Sequence, residues 1–389
     1  MMTIQKLHLS DTGNSIALFA IAALIGGLGW SGNPALHFLA LLYPFAYTYS
    51  RRRLDTISAV FYYAASTWPV IPGAQSFFQT GHHLGKLIAI WIAITALGSL
   101  PWILFYHRRF LPLSAIAALL ALALPPIGLV TVAHPLIATG LWFPGTRWFG
   151  LALPLILIAV HRRMEMPLVF AVLILASLAV HARFARPITD PHIVAVDTKV
   201  GNGSGSGAQA AEHTLQQIAL AHPNALLIFP ESVIPDWSAA HDAHWASTFA
   251  QLSAQRTGIL IGTTIPIPNT QANRNVLLSR GFTEHLSYVQ RVPIPLGMWQ
   301  LGESRRGFPL SLRFPAAIRV WNRRTGVLLC YEQMTFWPAV ETMARGPEML
   351  IAPSNLYWAR DTSIPAIQHL AAQDWADLWA IQLYEARNL

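Results

Sequence analysis

A chain of 389 residues with 53% hydrophobic and only 11% charged residues is too apolar for a soluble protein of that size, and its length leaves room for two domains. Its charge is uneven: through Pro187 there are 12 Lys/Arg against 3 Asp/Glu, and from Ile188 onward 14 against 15, so the basic excess belongs to the apolar half. With no such excess in the polar half, direct nucleic-acid binding is disfavoured, and a single cysteine, Cys330, excludes an intrachain disulfide.

Residues 1–11 are polar and too short to fold alone, and residues 12–50 then contain no Asp, Glu, Lys or Arg. That length fits two membrane crossings of about 20 residues each, hinged at Ser31-Gly32-Asn33-Pro34. A cleavable signal peptide competes for the first of them. Lys6 alone is a thin basic region and the apolar run is long for such a segment, so a retained helix is the better reading. Arg51-Arg52-Arg53 follows, then uncharged stretches at 56–85 and 87–106, then His107-Arg108-Arg109. The uncharged run 110–146 contains Pro125-Pro126, which should kink or end a helix. Residues 148–160, His161-Arg162-Arg163 and a last apolar segment at 166–180 complete a count of seven crossings. With the N-terminus inside, Lys6, Arg51, Arg52, Arg53, Arg108, Arg109, Arg162 and Arg163 fall in cytoplasmic loops, whereas the outer loops hold Lys86 and Arg147. An odd count places everything after Arg186 on the outer face, which in a bacterium is the periplasm.

From Ile193 the pattern changes to short apolar strands alternating with helical segments, the texture of an α/β domain. A first strand at 193–196 is followed by the Gly/Ser-rich stretch 201–207, which lacks the spacing of a phosphate-binding loop and reads as a linker or mobile lid. Helices are expected at 208–221 and 239–257, and strands at 225–229, 258–264, 275–279, 286–290, 317–320, 326–329 and 349–352. A Pro/Gly-rich stretch at 293–315 should overhang a site, and a last helix from about 367 is expected to end the chain. No internal repeat is visible.

Two strands end in reactive groups. The run 325–329 delivers Cys330, and the run 225–229 delivers Pro230-Glu231. Alone, Cys330 reads equally as a small buried hydrophobe. A thiol and a carboxylate presented together from strand ends make a nucleophile and its base, and neither is easily buried for packing alone.

Phe229-Pro230-Glu231-Ser232, Leu329-Cys330-Tyr331-Glu332, Pro353-Ser354-Asn355 with Trp358, and Gln368-His369-Leu370, in this order, resemble the carbon–nitrogen hydrolase (nitrilase) superfamily. The Cys-Tyr-Glu form behind a multi-span half resembles bacterial apolipoprotein N-acyltransferases most, and membrane proteins of plasmid conjugal transfer share this layout. The resemblance implies a helical membrane domain at 1–187 and, at 188–389, a periplasmic nitrilase-like αββα sandwich with a Glu, Lys, Cys site and no metal or cofactor. Glu231 would be the general base and Cys330 the nucleophile that forms an acyl-enzyme, with Glu332 as supporting carboxylate or, alternatively, a surface ion-pair partner. Tyr331 and Trp358 would line an acyl pocket, though plain packing explains each as well. Asn355 and Arg291 complete the expected substrate-contacting set, although on a strand Arg291 points away from the face of Gln290. The implied partners are a membrane lipid or other acyl donor, a protein or peptide acceptor, and proteins of a conjugation apparatus.

Three departures stand out. Relatives carry a segment of the type Lys-x-x-x-x-Pro-x-Gly-Glu, whose lysine helps to hold the oxyanion. Here that segment is residues 290–298, with Gln290 at the lysine position and Met298 at the glutamate position. Relatives also continue into further strands and a closing span after the last helix, so the sandwich is expected to be incomplete at its C-terminus. These departures leave two readings open, a thiol acyltransferase or amidase and a nitrilase-like binding module without catalysis. A transporter is disfavoured, because the only acidic residues among the spans, Asp55 and Glu165, lie in loops.

Overall fold

The computed structural model describes residues 11–78, 84–161, 166–201, 207–283, 287–299 and 305–389. The expectations for Lys6, Arg162, Arg163 and Glu165, for most of the Gly/Ser-rich stretch, and for Leu286 lie outside these residues.

The N-terminal half is helical. Helix α1 (Asp11–Gly29) is followed by a 3-10 turn (His37–Leu42) that runs into α2 (Tyr43–Tyr47), then α3 (Ser58–Thr67), α4 (Val70–Phe78), α5 (Leu84–Leu104) and α6 (Leu111–Ala123). The short α7 (Thr139–Trp142), α8 (Trp148–Val160) and α9 (Met166–His181) complete it. Among the described residues, two helices are long and apolar enough to cross a membrane, at Thr12–Gly29 and Leu84–Leu104. The apolar helices at His37–Tyr47, Trp148–Val160 and Pro167–His181 are shorter.

Where a second crossing is expected within 12–50, the chain forms a 3-10 turn that runs into a short helix rather than one continuous helix. Its aromatic residues explain why it turns inward rather than running straight: Tyr43 stacks on Tyr62 at 4.2 Å, and Tyr47 donates its hydroxyl to the Trp102 carbonyl at 2.6 Å. A tyrosine hydroxyl needs a partner when buried, and the neighbouring helices supply it here. Helix α6 stops two residues before Pro125-Pro126, as a proline pair requires. At Gly26 a Cβ would collide with the Tyr62 carbonyl, so α1 and α3 approach more closely than any larger residue would permit.

The C-terminal half contains two sheets. The first follows the order β1-β2-β3-β4-β5, with β6 also on β4. Its strands are β1 (Ile193–Ala195), β2 (Leu226–Ile228), β3 (Gly258–Pro266), β4 (Gln271–Gly281), β5 (Ser287–Val289) and β6 (Arg306–Gly307). Between them lie α10 (Ala208–Leu220) and α11 (Ala239–Ala254). The second sheet follows the order β10-β9-β8-β7. It is built from β7 (Ala317–Val320), β8 (Arg323–Val327), β9 (Met349–Asn355) and β10 (Gln382–Asn388), with α12 (Phe336–Ala344) and α13 (Ile364–Trp379) between strands.

Side-chain alternation along the strands sorts the layers. Leu226, Ile228, Leu260 and Leu277 meet Val327, Leu329, Met349 and Ile351 in a core between the two sheets. Leu227, Phe229, Ile259 and Ile261 face the other way, onto Leu215 of α10 and Trp245 of α11. On the outer face of the second sheet, Leu328 and Leu350 pack with Phe336 of α12 and Trp375 of α13. Trp102, Leu119 and Phe143 of the helical half join that same cluster. The result is an αββα sandwich with one outer helical layer clamped against the apolar helices.

The expectation that the last helix ends the chain, leaving the sandwich open, is corrected by β10. This strand lies parallel to β9 from Gln382–Met349 through Asn388–Asn355. Its sequence hides it, because Glu385 and Arg387 alternate with core-facing Tyr384 and Ala386 and resemble a polar tail. Tertiary partners satisfy both charges: His369 lies 2.7 Å from Glu385, and Asp197 3.0 Å from Arg387.

Candidate active site

Glu231 lies just past the end of β2 and is 4% exposed. Gly262 on β3 makes room for it, since a Cβ there would collide with the Pro230 carbonyl and the Glu231 backbone. The carboxylate accepts the backbone N–H of Asn355 at 3.0 Å and the side-chain amide of Asn275, and it is hydrogen-bonded to the Cys330 thiol. Burial raises the Glu231 carboxyl above the ordinary carboxylate range, and the hydrogen bonds from Cys330, Asn355 and Asn275 offset this only in part.

Cys330 follows β8 across Leu328-Leu329 and opens a 3-10 turn, Cys330–Gln333, with φ at +50°. A non-glycine residue in this left-handed region costs about 1–3 kcal/mol and persists only where its surroundings hold it. Glu332 accepts the Leu329 N–H at 2.9 Å, and Gln290 donates to the Leu329 carbonyl at 3.1 Å. Gln368 donates to the Cys330 carbonyl at 3.0 Å, and Gln333 donates to the Leu328 and Pro353 carbonyls at 3.0 and 3.2 Å. Burial, and then the neighbouring Glu231 charge, push the thiol well above its ordinary value, while the backbone N–H groups of Asn355 and Tyr331 pull it down. In this pair the thiol holds the proton and the carboxylate is the base that can remove it as the sulfur attacks.

The remaining expected residues divide into those at the pair and those behind it. Glu332 is fully buried, which corrects its reading as a surface ion-pair partner. It accepts the Tyr288 hydroxyl at 2.6 Å and the backbone N–H groups of Arg291 and Val292 at 2.7 and 3.1 Å, and so ties the cysteine turn to the end of β5. The Arg291 side chain is turned away from the pair. Its guanidinium is fully buried on the far side, 3.6 Å from Glu332 and 2.7 Å from Glu341, and also donates to Thr342 at 2.8 Å. The alternation of the strand sends residue 291 away from residue 290, and removing Arg291 would leave the buried Glu332 without its cation.

Asn355 also needs correction. It is the backbone N–H that serves Glu231, while the side-chain oxygen accepts from Asn388 at 2.9 Å. Gln290, at the position of the family lysine, lies 2% exposed and accepts from Asn275 at 3.1 Å. Asn275 on β4 therefore bridges Gln290 and Glu231, a role nothing in the local pattern signals. Met298 takes part in a turn, its N–H donating to the Ile294 carbonyl at 2.8 Å.

Cys330 forms part of the wall of a cavity of about 660 Å³ between the helical and α/β halves. Tyr331, Met334 and Trp358 flank it, and Phe77, Leu97 and Val130 supply the opposite wall. Two contacts fix the halves to each other at the rim. Trp358 meets Phe77 edge to face at 5.1 Å, and the Tyr331 hydroxyl donates to the Val130 carbonyl at 3.0 Å. From the overhanging stretch, Ile294, Leu296, Trp299 and Leu310 cover the cavity. No Lys, Arg, Asp or Glu lines it among the described residues, so it suits an apolar chain with its reactive end at Cys330.

The chain is 27% identical over 394 residues to the conjugal transfer protein TraB of Agrobacterium fabrum, covering 95% of this chain and 92% of that protein. It is 28% identical over 388 residues to a TraB protein of Sinorhizobium fredii, covering 95% and 97% respectively. No family model matches. Solved structures that align with it include an amidase from Nesterenkonia sp., at 18% identity and a TM-score of 0.36, covering 52% of this chain and 78% of that one. A variant of that amidase, with the acetamide moiety of fluoroacetamide added covalently at its active-site cysteine, aligns at 16% identity and a TM-score of 0.36. This alignment covers 52% of this chain and 79% of that one.

Proposed function

We propose that the chain is a membrane-bound, cysteine-dependent acyltransferase or amidase of the nitrilase type that acts at the periplasmic face of a bacterial inner membrane during plasmid conjugal transfer. In this reading residues 1–187 form the membrane domain and residues 188–389 the periplasmic one. The observation that carries it is that Cys330, paired with Glu231 behind it, forms part of the wall of an apolar cavity shared by both halves. A lipid acyl chain entering from the membrane would exchange one apolar environment for another at little cost and present its carbonyl to the thiol. Glu231 takes the thiol proton, the sulfur adds to the carbonyl carbon, and the tetrahedral intermediate expels the leaving group, which receives that proton. An amine or water then releases the acyl group by the reverse sequence.

Surface composition supports the membrane assignment. Of the exposed large hydrophobic residues, all but Ile188, Phe282, Leu296 and Leu312 lie before Pro187, and α9 alone exposes Leu168, Ile174, Leu175 and Leu178. A soluble protein rarely presents so continuous an apolar surface. Counting α1, the 37–47 segment, α3 with α4, α5, α6, α8 and α9 as one crossing each gives seven, an odd number that agrees with the Lys/Arg bias. A reporter active only outside the inner membrane, fused after Leu389, is expected to be active. Activity of a cytoplasm-only reporter there would overturn the topology.

The acyl-transfer reading is tested by the intact mass of the purified protein with and without phospholipid. An increment equal to one acyl group, lost in Cys330→Ala, is expected. One observation favours the alternative, a nitrilase-like module that binds a conjugation protein without catalysis: Gln290 occupies the lysine position, and its amide is already engaged with Leu329 and Asn275. An unchanged mass after prolonged exposure to phospholipids and amides would favour that alternative.

A further inference from the structure

The polar side chains that line the 660 Å³ cavity are almost all satisfied within the protein. Ser66 and Thr67 donate to the Tyr63 carbonyl at 3.2 and 2.6 Å. The indole N–H groups of Trp30, Trp299 and Trp358 donate to the Tyr62 hydroxyl, the Pro293 carbonyl and the Asn355 carbonyl at 2.9, 2.7 and 2.9 Å. The Tyr331 hydroxyl and the Cys330 thiol are engaged as described above.

Gln368, on the second turn of α13, is the exception. It is 1% exposed, and its Oε1 is buried with no hydrogen-bond partner among the described residues. The orientation of its amide follows from chemistry, because only the NH2 group can donate to the Cys330 carbonyl. Its oxygen is thus an unused acceptor on a residue that lines the cavity and touches the nucleophile's backbone, and a buried acceptor left unpaired is costly.

We propose that Gln368 is a substrate-binding residue that selects the attacking group: its Oε1 accepts a hydrogen bond from a nucleophile carrying two hydrogens, which favours primary amines as acyl acceptors. This rests on the acyl-transfer reading above. When a primary amine adds to the Cys330 thioester, its nitrogen lone pair forms the C–N bond and the carbonyl π electrons move onto oxygen. One N–H proton passes to Glu231, and a second N–H remains to donate to Gln368. Collapse restores the carbonyl and breaks the C–S bond, and the departing sulfur recovers the proton from Glu231. A secondary amine gives its only N–H to Glu231 and leaves Gln368 unpaired. Water also carries two hydrogens, so hydrolysis is the competing reaction that this residue does not exclude.

The test uses the full-length protein in detergent, acylated by p-nitrophenyl butyrate, with n-butylamine and its isomer N-methylpropylamine competing for the acyl group. In the wild type the amide of n-butylamine should exceed that of N-methylpropylamine by tenfold or more beyond the ratio of the uncatalysed reaction. Gln368→Met keeps the side-chain volume but removes the acceptor, and should bring the ratio back to the uncatalysed value. Gln368→Glu keeps an acceptor oxygen and should retain more of the preference than Gln368→Met. A purely structural role would lower all rates without moving the ratio. Equal ratios in the wild type and Gln368→Met overturn the proposal, as does a wild type with no preference if Gln368→Met fails to fold. Failure of the wild type to form any acyl adduct instead overturns the acyl-transfer reading on which it rests.

Discussion

Replacing Glu231 by Gln should slow acylation of Cys330 by about 10²-fold or more, the usual contribution of a general base, and Cys330→Ala should abolish it. Acylation is read as the mass increment from an activated acyl ester. The pH dependence separates a base from a mere neighbour. Burial raises the Glu231 carboxyl and also keeps the thiol protonated well into the alkaline range. A base works only when deprotonated, so the wild-type rate should be low in acid and rise with pH through a midpoint above the ordinary carboxylate range. That midpoint belongs to the coupled pair rather than to one residue. In Glu231→Gln this limb should vanish, leaving a rise only at alkaline pH, where the thiol itself ionises. Identical profiles in the two proteins would remove Glu231 from the mechanism.

The other large effect is expected at Gln290. Its amide donates to Leu329 and accepts from Asn275, which in turn donates to Glu231, so among the described residues neutral amides occupy the place of the family's charged donor. An oxyanion donor is worth about 10²–10³ in rate, and a working enzyme without the lysine should turn over slowly. Gln290→Lys should raise the acylation rate by a factor of that order, because positive charge is added where negative charge develops. The surroundings can accept an ammonium, since the Leu329 carbonyl and, through a small shift, Asn275 and Glu231 offer oxygen partners. Stability should therefore fall by much less than the several kcal/mol of an unpaired buried charge, as measured by thermal unfolding. No gain in rate together with a large loss of stability would support the non-catalytic module instead.

Much of the arrangement was legible in the sequence because it is written in local patterns. Apolar runs that stop at Glu231 and Cys330 announce strands with reactive ends, and two-residue alternation places Arg291 on the face opposite Gln290. The charge asymmetry likewise separates an apolar half from a polar one. What these patterns leave open is what covers each face. Glu332 and Glu385 are both acidic residues in mixed surroundings, yet one is sealed behind Arg291 and Tyr288 while the other flanks an outward-facing histidine. Asn355 serves the site through its backbone because its side chain meets Asn388, which is 33 residues away. Asn275, Gln368 and the helical wall of the cavity reach Cys330 only through packing between elements far apart in the chain. Periodicity determines which way a side chain points; whether it then finds a partner, an empty pocket or water depends on long-range contacts, and those decide burial, proton affinity and the unpaired Gln368 acceptor.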